Sequence, residues 1–314
     1  MPVYVEPDAL ILVAAGLFGL VIGSFLNVVI LRWPISKEHE WFDECISIIR
    51  ELAGRAAEPP SRDTQLSRGL AAALPEPLPE REVFNLVRPR SRCRQCGHTV
   101  SALENLPVIS YILLRGKCKE CGTPIGLRYP AVEILTAVAT VVVISQLGAG
   151  ATGFVGALLT WALIAAGGID TDTKYLPDDI TLPFLWLGLV VNVFGFFTNL
   201  EDAVIGAAAG YLSLWLVYWA FKLLTGREGM GHGDFKLLAL FGAWLGWQLL
   251  PVIILLSTVV GAVVGIALMV LRGRDRHYAI PFGPYIAAAG WIAMMWGQDI
   301  TSAYLRYSGI GPPY

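Results

Sequence analysis

GMGHGDFKLLALFGAW, Gly229–Trp244, sets a carboxylate at the edge of an apolar run. Asp234 stands just ahead of LLALFGAW, a segment with the composition of a bilayer span. An ionisable side chain at that depth is costly, and it is retained where it faces protein or a polar cavity. The rest of the chain has the same character. Its 314 residues are 55% hydrophobic and 15% charged, with mean hydropathy +0.59. Soluble domains carry about 25% charged residues, so a soluble globular enzyme is excluded. The net charge of −2 gives no electrostatic footprint for nucleic acid.

Apolar stretches that could span, each close to the roughly 20 residues needed, fall near 9–31, 131–148, 152–169, 180–198, 203–222, 237–250, 251–271 and 279–297. The sixth is short, which suggests a tilted, broken or partly inserted segment. The expected fold is therefore an all-α multi-pass membrane protein of about eight transmembrane helices. Fifteen of the 23 lysines and arginines lie between 32 and 130, and with eight spans all the others except Arg306 fall on the same side. That side is expected to be cytoplasmic, with both termini outside. No Lys or Arg precedes Arg32, whereas Glu6 and Asp8 do, so the first span reads as a retained anchor rather than a cleaved signal.

These features divide the chain into an N-terminal anchor (1–34), a cytoplasmic loop (35–130), a membrane core (131–298) and a C-terminal tail (299–314). Within the loop, EHEWFDECISIIRELAGRAA (38–57) reads as an amphipathic helix with Trp41, Cys45, Ile48, Ile49 and Leu52 near one face. Residues 58–80, rich in Pro, Ala and charge, read as a linker. From about 84 to 130 the character changes. Cys93 and Cys96 form one C-x2-C pair and Cys118 and Cys121 a second, 21 residues on, and each pair is followed by Gly. Four thiolates at this spacing suit tetrahedral Zn²⁺ in a closed, structural site. Disulfides are disfavoured on a cytoplasmic face, and a redox pair would need only one C-x2-C. His98 is a spare nitrogen that four cysteines make unnecessary, and Cys45 reads as a small buried hydrophobe.

A partner for Asp234 lies in GGIDTDTKYLPDDITLP (167–183). Asp170 ends the third span, and helices entering from one face bring it and Asp234 together. Two carboxylates at one site do not both ionise readily, which leaves one as an acid beside one as a base. That pair can activate water and protonate a leaving amine, the chemistry of an aspartic protease. Gly229, Gly231 and Gly233 would supply positive φ and room for a substrate backbone. Asp178 and Asp179 read as helix N-terminal acids, Asp172 as a solvated neighbour, a cap or a third site member, and Lys236 as an ion-pair partner or a snorkelling base. The same acids could bind ions in a zinc-stabilised transporter or assembly scaffold. A dinucleotide loop is excluded because G-x-G-x-x-G would need glycine at 234.

The GxGD pattern of Gly231–Asp234, joined to IDTDTKYLPD, resembles the bacterial type IV prepilin peptidases of pilus and type II secretion systems. GSFLNVVILRWP (Gly23–Pro34), FNLVRPRSRCRQCG (Phe84–Gly97), LRGKCKECG (Leu114–Gly122) and RYPAVEILTA (Arg128–Ala137) are similar to that family's blocks in its order. The resemblance runs from about 10 to 290. It implies a membrane aspartic endopeptidase of the bacterial inner membrane that removes the short basic leader of prepilins and pseudopilins at the cytoplasmic face. Its catalytic pair carries over to Asp170 and Asp234. Asp170 rather than Asp172 stands seven residues ahead of Pro177, as the family's first aspartate does. Many members also methylate the new N-terminus with S-adenosylmethionine, although 82–130 holds no glycine-rich nucleotide loop. The stretch from Ile35 to Arg81 departs from the family pattern.

Overall fold

From Asp234 to Leu245 every residue but Lys236 is buried. A helix apolar on all sides belongs inside the protein rather than at a face. The computed structural model, which describes residues 5–54, 62–73, 84–272 and 281–308, makes this short helix the central post. In chain order the helices are α1 (Ala9–Gly54), α2 (Arg62–Ala73), α3 (Ile109–Leu113), α4 (Arg128–Leu147), α5 (Ala151–Thr173), α6 (Asp178–Val193), α7 (Leu200–Thr225), α8 (His232–Leu245), α9 (Leu250–Arg272) and α10 (Gly283–Tyr307). Among the described residues there are only isolated β-bridges and no strand.

Helices α6, α7 and α10 pack around α8, while α1 packs along α4 and α5. Close approach of backbones does much of this work, as membrane helices require when lipid is as apolar as their side chains. A Cβ on Gly206 of α7 or on Gly242 of α8 would strike the backbone of the other. On α1, a Cβ at Gly23 would stand 2.6 Å from the Glu133 Cα of α4. Trp244, fully buried at the end of α8, donates its indole N–H to the Phe184 carbonyl at 2.7 Å. Asn192 bonds the Ala243 and Trp244 carbonyls at 2.9 Å each, so this polar side chain is satisfied inside the bundle.

Each of the eight apolar stretches carries a helix among its described residues, but the expected count of eight spans is not established by length and composition. Among the described residues five helical segments are long and apolar enough to cross a membrane: α1, α4, α5, α7 and the run Trp247–Leu271, which joins a 3-10 turn to α9. Helices α6 and α8 have 16 and 14 residues. At 1.5 Å per residue, α8 covers about 21 Å of a hydrocarbon core roughly 30 Å thick. Burial by its neighbours, rather than lipid, explains why α8 can be so short.

The loop departs from expectation in two places. α1 does not stop at the membrane edge but runs through Pro34 as one helix of 46 residues, about 69 Å at the standard rise. Within its polar half Ile46 is the buried residue, against α2, while Trp41, Cys45 and Ile48 are exposed. The Cys45 expectation is therefore corrected, since this part of α1 stands clear of the bundle core and its side chain faces out. The linker reading is corrected over Arg62–Ala73, which forms α2; the remainder of 58–80 lies outside the described residues.

Candidate active site and metal centre

The short turns at Lys174–Pro177 and Gly226–Gly231 fold α5 against α6 and α7 against α8, so one end of the bundle gathers the C-terminus of α5 and the N-termini of α8 and α10. Asp170 comes from the first and Asp234 from the second. They are 5% and 6% exposed, among the few charged groups buried in the molecule. Asp234 lies in the first turn of α8, its N–H bonded to the Gly231 carbonyl at 3.2 Å, and it is within electrostatic range of Asp170. Asp170 Oδ2 is fully buried without a hydrogen-bond partner.

Leu176 ties the two halves together. Its side chain lies against Gly233, where a Cβ would be 2.7 Å from the Leu176 Cβ, and against Gly283, where a Cβ would be 2.8 Å from Cδ1. That same Cβ on Gly283 would stand 2.5 Å from Asp170 Oδ2. Glycine is thus needed at 233 and 283 for space. The expected positive φ is corrected: Gly229, Gly231 and Gly233 are all outside the left-handed region, with Gly231 at φ −76. Gly229 packs on the Phe221 ring, and Gly231 leaves exposed backbone beside Asp234, with a Cβ there 3.7 Å from its Oδ2.

The other acids are held by bases. Asp172 pairs with Arg128 at 2.6 Å, Asp178 takes Lys236 through both oxygens at 2.6 and 2.7 Å, and Asp179 takes Lys37 at 3.0 Å. Lys236 is an ion-pair partner rather than a snorkelling base, and it fastens the first turn of α8 to that of α6. Two residues of this end escaped the sequence reading. Leu176 carries no local signal. Gly283, in PFGPY ahead of the last helix, has the Gly-Pro signature of a tight helix start.

The four cysteines form two like-built knuckles. Cys93 N–H bonds the His98 carbonyl and Gly97 N–H the Cys93 carbonyl, while Cys118 and Gly122 repeat the pattern with Thr123. Gly97 and Gly122 sit at φ 75 and 69, the left-handed backbone that makes glycine the residue after each pair. All four Sγ atoms lie within 4.8 Å of one another, with Cys93 to Cys121 at 3.7 Å and Cys96 to Cys118 at 4.0 Å. A Zn–S bond of about 2.3 Å gives a tetrahedral edge of about 3.8 Å, so the cluster has the dimensions of a four-thiolate zinc site. The surroundings pull the thiols in different directions. The Thr123 hydroxyl and then its N–H pull Cys121 down to about 6. The backbone N–H groups of Cys96 and then Gln95 lower Cys93. Although the His98 N–H favours its thiolate, Cys96 is pushed up to about 12 by burial and by its three thiol neighbours. A divalent cation removes that conflict. His98 is not part of the cluster: its Nε2 lies 3.0 Å from Glu104.

Side chains of the membrane helices dock this cysteine domain. Arg32 of α1 donates to the carbonyls of Pro89 at 2.5 Å and Asn85 at 3.3 Å, and Ser36 donates to the Phe84 carbonyl at 3.3 Å. Asn27 donates to the Tyr129 carbonyl at 3.0 Å, tying α1 to the start of α4. Glu133, 8% exposed on α4, accepts from the Val108 N–H at 2.8 Å. A carboxylate in the apolar run RYPAVEILTA is legible by the same rule that flags Asp234.

Comparison with known proteins agrees with this arrangement. Residues 17–147 match the Bacterial Peptidase A24 N-terminal domain, and residues 157–266 match the Type IV leader peptidase family. The chain is 52% identical to the prepilin leader peptidase/N-methyltransferase of Aeromonas hydrophila over 289 residues, 92% of each chain. It is 48% identical to that of Pseudomonas aeruginosa over 293 residues, 93% of each. The Xanthomonas campestris protein of the same name is 44% identical over 297 residues, 95% of each. No solved structure matches. With both family domains matched in order, and with relatives of this identity along nearly the whole chain, this multi-pass membrane protein belongs to the type IV leader peptidase family.

Proposed function

We propose that this chain removes the leader of type IV prepilins and pseudopilins and N-methylates the new N-terminus. The observation that carries the peptidase half is the pair Asp170 and Asp234, brought from α5 and α8 to one end of the bundle around Leu176, each nearly buried and one with an unpartnered oxygen. The bilayer sequesters the apolar helix of the substrate, and its basic leader stays at the end that carries the aspartates. That end, with the cysteine domain, is the cytoplasmic one, because the lysines and arginines gather there. Both termini face the other side.

The chemistry is that of a carboxyl pair sharing one proton. The ionised aspartate takes a proton from a water as its oxygen attacks the scissile carbonyl carbon. The protonated aspartate donates a hydrogen bond to the carbonyl oxygen. Collapse of the tetrahedral adduct breaks the C–N bond, and the proton passes to the leaving amine. Gly231 and Gly233 keep side chains away from the Asp234 end, and Lys236 holds α8 in register with α6 through Asp178. Cys93, Cys96, Cys118 and Cys121 would hold a structural zinc, and four protein thiolates would leave it a cross-linking rather than a catalytic role. S-adenosylmethionine would supply the methyl group, and no motif in 84–130 marks its place.

The test is cleavage of a prepilin by purified full-length protein, with and without S-adenosylmethionine, followed by the mass of the new N-terminus. Wild type should remove the leader and add about 14 Da, one methylene equivalent, only with the cofactor. Asp170→Asn and Asp234→Asn should lose cleavage by at least about 10³-fold, the scale on which a lost acid–base group shows. Cleavage by either variant at the wild-type rate would take that residue out of the chemistry.

A further inference from the structure

Two carboxylates that must meet a peptide and a water are 5% and 6% exposed. Beside them on the turn between α5 and α6 is Leu176, itself 5% exposed, wedged between Gly233, the residue before Asp234, and Gly283, whose backbone borders Asp170 Oδ2. Leu176 belongs to a connection rather than to a helix. Lys174, in the left-handed region at φ 58, ends α5 with its N–H on the Asp170 carbonyl at 2.8 Å, and Pro177 starts α6. The connection is four residues long and is held from outside.

Its neighbour Tyr175 is bracketed by two tryptophans of α1. Trp33 stacks on it with centroids 6.2 Å apart and planes at 10°, and Trp41 meets it edge-on at 5.7 Å and 89°. One helical turn from each tryptophan, Lys37 pairs with Asp179 at 3.0 Å on the far side of the turn. The long cytoplasmic extension of α1 thus grips the residues on both sides of Leu176. Contacts of this kind, 39% exposed at Tyr175, are individually weak and can be exchanged for contacts to a substrate.

We infer that Leu176 is the gate of the aspartate site, displaced by the scissile segment when substrate enters, and that Trp33 and Trp41 of α1 hold it shut through Tyr175. This rests on Asp170 and Asp234 being the catalytic pair. Substrate binding must then do the work of opening, so apparent affinity is reduced by the closed fraction. The extension of α1 becomes a control on turnover, because anything that draws it off Tyr175 frees the gate.

Accessibility tests this without relying on catalysis. Asp170→Cys is placed in the full-length chain in lipid nanodiscs. Its reaction with a water-soluble maleimide is followed by mass spectrometry of the peptide carrying position 170, which separates it from the five native cysteines. Adding Leu176→Ala should raise the labelling rate by about tenfold or more, in proportion to the open population. Tyr175→Ala, an exposed change that leaves the core intact, should do the same. With Asp170 present, Tyr175→Ala should lower the KM for prepilin by more than it changes kcat. Unchanged labelling in the Tyr175→Ala protein would overturn the gate, and so would a Leu176→Ala protein that loses thermal stability without faster labelling. Wild-type cleavage by Asp170→Asn would instead remove the catalytic reading on which the gate stands.

Discussion

Replacing Glu133 by Ala should release the cysteine domain from the membrane helices while leaving the bundle intact. Glu133 is 8% exposed on α4 and accepts from the Val108 N–H at 2.8 Å, and the Ser24 hydroxyl of α1 is a second partner. A hydrogen bond to a charged group contributes about 1.5–3 kcal/mol. Val108 is β-branched and sits at φ 58, a conformation that costs of order 1–3 kcal/mol and persists only while its surroundings impose it. Val108 is only half-buried, so water can recover part of the lost bond. That strain relaxes on opening in both proteins and cancels, so the lost bond, less the part that water recovers, makes local opening cheaper by about 1.5–2.5 kcal/mol. At 1.4 kcal/mol per decade this is roughly a 10–60-fold faster hydrogen exchange in the segment 105–114. The assay is exchange followed by mass spectrometry on the full-length protein, with peptides of α8 as internal reference. Glu133→Gln keeps an acceptor for the Val108 N–H, so its change should stay within about tenfold, the value of one neutral bond of about 1 kcal/mol. Equal exchange in wild type and Glu133→Ala, or acceleration spread evenly into α8, would refute the docking role.

Further outcomes follow from the ion pairs and the thiols. Lys236→Met should cost the fold about 1 kcal/mol or less, because the partners are 29% and 42% exposed. Even so, kcat should fall by about tenfold or more, because small misplacement of a reacting group is amplified; kinetics and thermal unfolding measured together check the split. Cys96→Ser or strong chelation should lower zinc content and loosen 84–126, weakening cleavage while Asp170 and Asp234 stay in place; metal analysis with exchange over that segment reads it. Glu104 is held down at about 2 by the Ser101 N–H, then by His98 and Lys119, against an ordinary 4.5. Its stabilising contribution is therefore complete above about 4.5 and is lost as pH falls through about 2. Glu104→Gln should flatten that part of the acid dependence of the cysteine domain, and an unchanged acid profile would contradict it.

The membrane class, the all-α fold and the cysteine cluster were legible from residue type and spacing, and the same reading singled out Asp170 and Asp234 as ionisable residues at the membrane edge. Each depends on a local rule. Apolar runs must span, thiols at C-x2-C must turn on a left-handed glycine, and ionisable residues at membrane depth need a reason. The roles of the glycines were not legible. Gly229, Gly231 and Gly233 suggest backbone freedom, yet a Cβ at Gly233 meets Leu176 from α5–α6 and one at Gly229 meets Phe221 from α7. Which neighbour presses on a glycine is a long-range fact. The same holds for α1, where Pro34 reads as a boundary but stands inside the helix, and for Arg62–Ala73, where a helix forms in a linker-like composition because α1 offers it a partner.

By itself, then, the sequence determined the membrane class, the helical character and the family resemblance of this chain. Composition and spacing are set by the solvent and the metal, and both act on each segment independently. Only the tertiary structure decided that Leu176 lies between Gly233 and Gly283, that Lys236 belongs to Asp178, and that Glu133 holds Val108. Those contacts join helices far apart in the chain, and their partners are selected by the packing of the whole bundle, which no local pattern encodes.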